Sequence, residues 1–233
     1  MINKLKYISY LNQIKSNDIN PKLEYIYDIN EIESYEKLTG KTIGMIENQS
    51  FFNIIFPLVK QKGKDSEPFI YPMISYPGSH GGAAALITAT NGNEDSEKFI
   101  LFVKQIRITN ENKVSIEIPR GFADKFKDRT ALATVLREVE EETNICVDKI
   151  SSVTPLGDMQ VDSGLSNNNV SLFHIEIFSN NINEIKLSSN DDTEGVIGYA
   201  WYNEAQIFDL IKKNAITDSF TLCALLKYLI NSL

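Results

Sequence analysis

Apolar and polar positions follow two different rhythms along this chain, and the change between them falls near residue 70. Before that point KLKYISYLNQI and INEIESYEKL each space their apolar residues as a helix does, and the apolar run FFNIIFPLV follows them. QKGKDSEP at 61–68 reads as an exposed linker or turn, because Gly, Pro and charged residues gather there. Residues 1–69 are therefore expected to form a partly helical N-terminal extension, with dimerisation as one role open to it and no recognisable chemistry of its own.

From residue 70 onward strands and turns dominate. GGAAALITA and KFILFVKQI are apolar runs joined by the polar cluster NGNEDSE, the pattern of a hairpin feeding a sheet. KVSIEIPRG sets Val114, Ile116 and Ile118 on one side and stops at Pro119 and Gly121. A helix is predicted from Thr130 to Thr143, with Asp128 or Thr130 as its N-cap and Leu132, Leu136 and Val139 as its buried stripe. Asn144 suits the left-handed position that ends many helices. Strands are predicted around TPLGDMQV, SLFHIEIF and VIGYAWY, and helices over NEAQIFDLIKK and DSFTLCALLKYLI. Strands on both sides of a central helix, closed by further helices, predict an α/β fold in which a mixed sheet lies between helical layers.

Charge narrows the range of partners. The 233 residues carry 23 basic and 31 acidic side chains, a net charge of −8, which argues against a broad nucleic-acid surface or an anionic membrane as partner. A small anionic substrate would need a local basic pocket or a metal. MINKLKYISYLNQ lacks the apolar centre of a secretory leader, and no run reaches the roughly 18 apolar residues of a membrane span, so a cytoplasmic protein is expected. Cys146 and Cys223 lie far apart and outside any zinc-ligand spacing, so both are expected to be buried core thiols.

The chemistry is concentrated in REVEEETN, residues 137–144. At about 100° per residue Glu138, Glu141 and Glu142 share one stripe of the predicted helix, while Glu140 points away. Each like-charged pair at i,i+4 costs a few tenths of a kcal/mol. Three convergent carboxylates are hard oxygen donors suited to Mg²⁺ or Mn²⁺, and a bound ion would remove that repulsion. Arg137 is placed to hold a carboxylate through a two-pronged pair. The strand before the helix ends at Pro119 and Gly121, where bare backbone can approach a phosphate, and the loop from Arg120 to Lys127 adds three cations.

Gly121, Arg137, Glu138, Val139, Glu141, Glu142 and Ile145 together resemble the box of the Nudix hydrolases: a Gly, a spaced Glu, then R-E-U-x-E-E-x-G-U with U apolar. FVKQIR at 102–107, EIPRG at 117–121, the acidic loop NDDTEG and ITDSFTLCAL are similar to the ADP-ribose pyrophosphatase branch, so the resemblance covers about residues 70–233. It implies a Nudix-like α/β/α sandwich over that span. It also implies metal-dependent hydrolysis of ADP-ribose, or of a related nucleoside diphosphate linked to X, by water attack on a phosphorus. By the same resemblance Glu138 and Glu142 are the principal metal ligands, and Glu141 is a further ligand or orients the water. The Arg120 carbonyl completes the coordination, and Arg137 orients the carboxylates. Arg107, Arg120 and Gly121 meet the substrate. Glu194, with Asp191 and Asp192 behind it, is the general base, and the chain is a homodimer.

Two departures from the family pattern matter. Arg129 stands where the family has a Glu, eight residues before Arg137, and the loop from Gly121 to Arg137 is two residues longer. Asp124 or Asp128 is in reach to substitute. The Arg129 replacement and the extra N-terminal segment motivate a competing reading, a Nudix-fold binding or regulatory module that senses a nucleotide without cleaving it. Asn144 replaces the second Gly and tolerates the same backbone. VDSG at 161–164 reads as a turn, His174 as a structural strand residue and His80 as a loop residue.

Overall fold

The computed structural model describes residues 4–15, 22–47, 52–76, 81–90, 97–124, 126–179, 181–190 and 195–231. The chain forms two compact units, one made of residues 1–77 with 162–168, the other of 78–161 with 169–233. No helix among the described residues is long and apolar enough to cross a membrane.

The first unit contains both predicted helices, α1 (Lys4–Lys15) and α2 (Ile29–Thr39). Asp28 caps α2 by accepting from the N–H groups of Asn30 and Glu31, and Gly40 ends it with φ of 68°. The unit also holds strands that helical spacing did not announce: β1 (Leu23–Tyr25), β2 (Gly44–Glu47), β3 (Asn53–Phe56), β4 (Leu58–Gln61), β5 (Phe69–Ile70) and β6 (Met73–Ser75). They form two antiparallel sheets, β1-β4-β5 and β2-β3-β6. Pro57 interrupts FFNIIFPLV, so that run supplies a strand to each sheet. QKGKDSEP is the turn between β4 and β5, and the unit continues past residue 69 because β5 and β6 pair with β4 and β3. Tyr7 and Leu11 of α1 pack with Ile32, Met45, Ile55 and Leu58 in its core. VDSG is indeed a turn: Asp162 Oδ1 accepts from Gly164 N at 2.9 Å, and the segment is tied to Ile74, whose N–H donates to Leu165 O.

The second unit is a mixed sheet between helices. Its strands are β7 (Gly82–Thr90), β8 (Lys98–Arg107), β9 (Lys113–Glu117), β10 (Arg120–Phe122), β11 (Ile150–Gln160), β12 (Asn169–Ile177) and β13 (Val196–Tyr202); its helices are α3 (Ala131–Thr143), α4 (Glu204–Lys212) and α5 (Ser219–Asn231). The order is β11-β12-β7-β8-β13, with β10 added to β7 and β9 to β8; β12 and β7 are parallel and the other pairs antiparallel. β7 is buried on both faces, which is why it reads as an unbroken apolar run. Ala83, Ala85 and Ile87 meet Val135 and Val139 of α3 on one side, and Ala84 and Leu86 meet Ile207, Ala224 and Leu225 of α4 and α5 on the other.

The geometry that positions the site is a split in this sheet. β7 and β8 pair at Thr88–Thr90 against Lys98–Ile100, whereas Gly82–Ala84 of β7 pairs with β10 and Val103–Arg107 of β8 pairs with β9. The chain therefore steps from β8 to β7 at Ile118 and Pro119, and Ala85 N–H donates to the Pro119 carbonyl across that step.

Two sequence expectations need correction, on the buried stripe of α3 and on the thiols. Leu132 is 43% exposed, and Val135 takes its place in the buried stripe with Val139, because the helix turns Glu138 and Glu142 inward. Of the two N-cap candidates, Thr130 is the one that caps α3, accepting from Ala133 N at 3.1 Å. Cys146 is exposed and Cys223 half-buried; Cys146 follows Asn144, whose φ of 59° turns the chain out of the helix.

Candidate active site

The carboxylates of α3 sort themselves by burial. Glu138 and Glu142 are 4% and 2% exposed, Glu141 is half-buried, and Glu140 faces solvent as the helical wheel requires. Burying two carboxylates on adjacent turns is costly unless each meets a donor or a cation.

Arg137 supplies much of that compensation. Its NH1 lies 2.8 Å from Glu138 Oε1 and 2.7 Å from Glu141 Oε2. Its Nε and NH2 grip Asp128 from 3.2 and 2.7 Å, and NH2 also donates to the Phe122 carbonyl at 2.9 Å. Of Asp124 and Asp128, it is Asp128 that meets Arg137, while Arg129 is exposed. Asp124 Oδ1 accepts from Phe126 N, Asp124 O accepts from Asp128 N at 2.7 Å, and Asp128 Oδ2 accepts from Asp124 N, which closes a turn that carries Asp128 back to Arg137. Burial, the largest single influence, raises the affinity of Asp128 for a proton, but its hydrogen bonds to Arg137 and to the Asp124 N–H, with the Arg137 charge, together outweigh this and hold the carboxyl below its usual range. The same contacts raise the Arg137 pKa despite burial, so it stays charged.

Glu142 is held differently. Gln105 Nε2 donates to its Oε1 at 3.2 Å and Arg120 N–H to its Oε2 at 3.0 Å. Tyr199 donates its hydroxyl to the Glu142 carbonyl at 2.7 Å; burial, then the nearby Glu142 charge, pushes this phenol up to about 12, so it remains a donor at neutral pH. Gly121 completes the arrangement by what it lacks: a Cβ there would lie 2.1 Å from Glu138 Cδ. Gly82 of β7, which pairs with the neighbouring Phe122, also leaves no room for a side chain, since its Cβ would meet the Gly121 carbonyl at 2.4 Å.

Arg107 and Arg120 both turn onto Glu117. Arg107 grips it with two hydrogen bonds of 3.0 and 2.7 Å, and Arg120 NH2 reaches it at 2.9 Å. Arg120 also pairs with Asp218 at 3.3 Å and lies over the Phe220 ring, 4.2 Å from its centroid. Burial alone would raise the Glu117 pKa, but the Arg107 hydrogen bond and the two guanidinium charges lower it on balance.

Five carboxylates (Glu117, Asp128, Glu138, Glu141 and Asp218) thus pair with three guanidiniums, and a sixth, Glu142, meets the Arg120 N–H. Hard oxygen donors in such excess over fixed cations fit a divalent ion such as Mg²⁺ or Mn²⁺. Among the described residues, however, no three acidic, histidine or cysteine side chains are gathered as a metal cluster; Glu138 and Glu141 are bonded to Arg137, and Glu142 to Gln105 and the Arg120 N–H.

The NUDIX domain family model matches residues 79–222. The chain belongs to that family. A NUDIX domain is in general a hydrolase of nucleoside diphosphate compounds and commonly works with a divalent metal such as Mg²⁺. No curated protein matches this chain.

Of the residues the sequence singled out, Arg137, Glu138, Glu141, Glu142 and Gly121 are brought together at one end of α3, with the Arg120 backbone beside them. Glu194, Asp191 and Asp192 lie outside the described residues, as does His80. His174 is structural within the described contacts: it bonds Thr88 Oγ1 at 2.7 Å and packs on Tyr228. Gln105 and Tyr199 had not been picked out as site residues. Gln105 did leave a signal, being the polar member of the 101, 103, 105 series on β8, where Leu101 and Val103 are buried apolar residues.

Proposed function

We propose that the second unit is a metal-dependent pyrophosphohydrolase that cleaves ADP-ribose or a closely related nucleoside diphosphate linked to X. The observation that carries the chemistry is the pair of buried carboxylates, Glu138 and Glu142, held in place by Arg137, Gln105 and the Arg120 N–H. Glu138, Glu142 and Glu141, with the Arg120 carbonyl, would hold the metal. When bound, a divalent ion neutralises phosphate oxygens and acidifies a coordinated water.

The chain's own residues do the rest. Arg137 fixes the carboxylates and remains charged; Gln105 and Tyr199 fix the Glu142 side chain and backbone from β8 and β13. Gly121 keeps backbone bare beside Glu138 and is the point where a phosphate can approach most closely. Arg107, 30% exposed at its side chain, is the cation assigned to the substrate's charged part. The Arg120 guanidinium, held by Glu117, Asp218 and Phe220, is reassigned from substrate contact to support of the site. Glu194 is assigned as the base that takes the proton of the attacking water. Its loop is flanked by Asn190, whose N–H donates to the Glu141 carbonyl, and by Gly195, whose carbonyl accepts from Ile106 N–H.

The ADP-ribose assignment rests on FVKQIR and EIPRG, which supply Gln105, Arg107, Glu117 and Arg120 to the geometry above. Asp128 in the ion pair with Arg137 weakens one of the two motives for a non-hydrolytic module, the Arg129 replacement. Incubation with ADP-ribose and Mg²⁺ or Mn²⁺ is expected to release AMP and ribose 5-phosphate, water adding to one phosphorus as the bridging P–O bond breaks. Glu142→Gln should abolish release, and Glu194→Gln should lower kcat by about 10²- to 10⁴-fold, the usual worth of a general base. Full turnover by Glu142→Gln would overturn the site, and turnover of other nucleotide sugars but not ADP-ribose would overturn the substrate.

A further inference from the structure

We infer that the first turn of α5, Asp218 to Thr221, is a positioning element for Glu142, acting through the Arg120 backbone. The inference rests on the proposal that Glu142 is a metal ligand. A continuous series of bonds joins the two. Thr221 Oγ1 accepts from Ile118 N–H at 3.0 Å and donates to Asp218 Oδ2 at 2.8 Å; Asp218 Oδ2 also accepts from Thr221 N–H at 2.9 Å. Asp218 Oδ1 accepts from Arg120 NH2, and Arg120 N–H donates to Glu142 Oε2. Thr221 is fully buried, and the Asp218 side chain is 9% exposed.

The helix turn therefore grips Ile118 by its backbone and Arg120 by its side chain, on either side of Pro119. That stretch is the step where the chain leaves β8 for β7: pairing with β8 ends at Glu117 and pairing with β7 resumes at Arg120, with the Ala85 N–H to Pro119 carbonyl bond between them. The helix turn adds to that hold. Phe220 adds to the hold, since its ring lies beneath the Arg120 guanidinium, and Arg120 Nε is buried without a hydrogen-bond partner. Leaving that donor unmet costs free energy, so the guanidinium is held by its ion pairs and by the ring against an unfavourable term. Its location serves the peptide that precedes it: a shift of the Arg120 backbone by about half an ångström would be enough to spoil the N–H···Glu142 bond.

Asp218 has two separable jobs, because one oxygen caps α5 and the other meets Arg120. Asp218→Asn retains an oxygen for the cap and removes the charge that pairs with Arg120. Mn²⁺ binding to the full chain, followed by calorimetry or by the electron paramagnetic resonance of free Mn²⁺, should weaken about tenfold in Asp218→Asn and in Arg120→Met, the usual size of an effect transmitted through a ligand's support. Arg120→Lys should recover part of the loss. The Mn²⁺ concentration for half-maximal activity should rise in parallel, while kcat at saturating metal changes much less. The metal-free thermal midpoint of each variant separates loosening of the fold from loss of metal affinity. Unchanged Mn²⁺ affinity in both Asp218→Asn and Arg120→Met, with Glu142→Gln losing it, would overturn the positioning role alone. Unchanged affinity in Glu142→Gln would overturn the metal assignment of Glu142 itself.

Discussion

Gly121 is the residue at which the site tolerates least. Its missing side chain leaves the space that the Glu138 carboxylate fills, and a Cβ would stand 2.1 Å from that carboxyl carbon. The clash is with the end of a side chain and not with backbone, so Gly121→Ala is relieved by moving Glu138, which is buried and bonded to Arg137. The cost falls on function: activity should drop at least about tenfold, as when a ligand's orientation is lost, while the thermal midpoint moves by only a few degrees. Kinetics and a melting curve on the same preparation check this, and a fully active Gly121→Ala would show that Glu138 is not needed where it lies. At this scale most of the arrangement was legible, because R-E-V-x-E-E on a helix after a Pro-Gly strand end fixes which carboxylates share a face. Asp128 was legible only as one of two alternatives. The choice depends on a turn closed by Asp124, which no helical or strand periodicity encodes.

α3 is an element in which packing and chemistry compete for the same face. Glu138 and Glu142 occupy inward positions, so the apolar stripe is narrowed to Val135 and Val139 with Ala131 and Leu136 beside them. Reading Leu132 as core followed from spacing alone; the structure rotates the helix to satisfy the carboxylates instead. Such a helix depends more than usual on its ends. Thr130 accepts from Ala133 N–H at the start, and Asn144 at the end adopts the left-handed conformation while its N–H donates to the Glu140 carbonyl. Thr130→Ala should cost about 1 kcal/mol in urea unfolding, the typical worth of an N-cap. The change leaves Arg137 and its partners untouched, so kcat in the folded enzyme should stay within about twofold. A large loss of activity at full folding would mean that the cap also sets the height of Arg137. The strands of the first unit were the least legible elements, being two to four residues long and interrupted at Pro57, too short for alternation to register.

For the molecule as a whole, three carboxylates and one histidine tie stability to pH in one direction on the acid side of neutrality. Asp128 and Glu117 in the second unit and Glu36 in the first all have carboxyl pKa values below their ordinary ones: burial opposes this, and the hydrogen bonds and charges of Arg137, of Arg107 and Arg120, and of Lys4 prevail. His174 is also lowered, by burial first. For each, the unfolded chain binds protons at a higher pH than the folded one, so stability is fully present above the unfolded pKa and is lost as pH falls through the folded value. The starting points are the ordinary values, 6.5 for His174, 4.5 for Glu36 and Glu117, and 3.8 for Asp128. Thermal midpoints measured without metal should therefore decline shallowly from about pH 6.5 and more steeply below about pH 4.5. His174→Gln should remove the shallow part and leave the steep one. Asp128→Asn should lower the midpoint at pH 7 yet flatten the steep part, because the charge whose protonation destabilises the fold is already gone. A midpoint that rises between pH 6 and 4 would reverse the sign and would mean that repulsion among the acidic side chains outweighs these ion pairs.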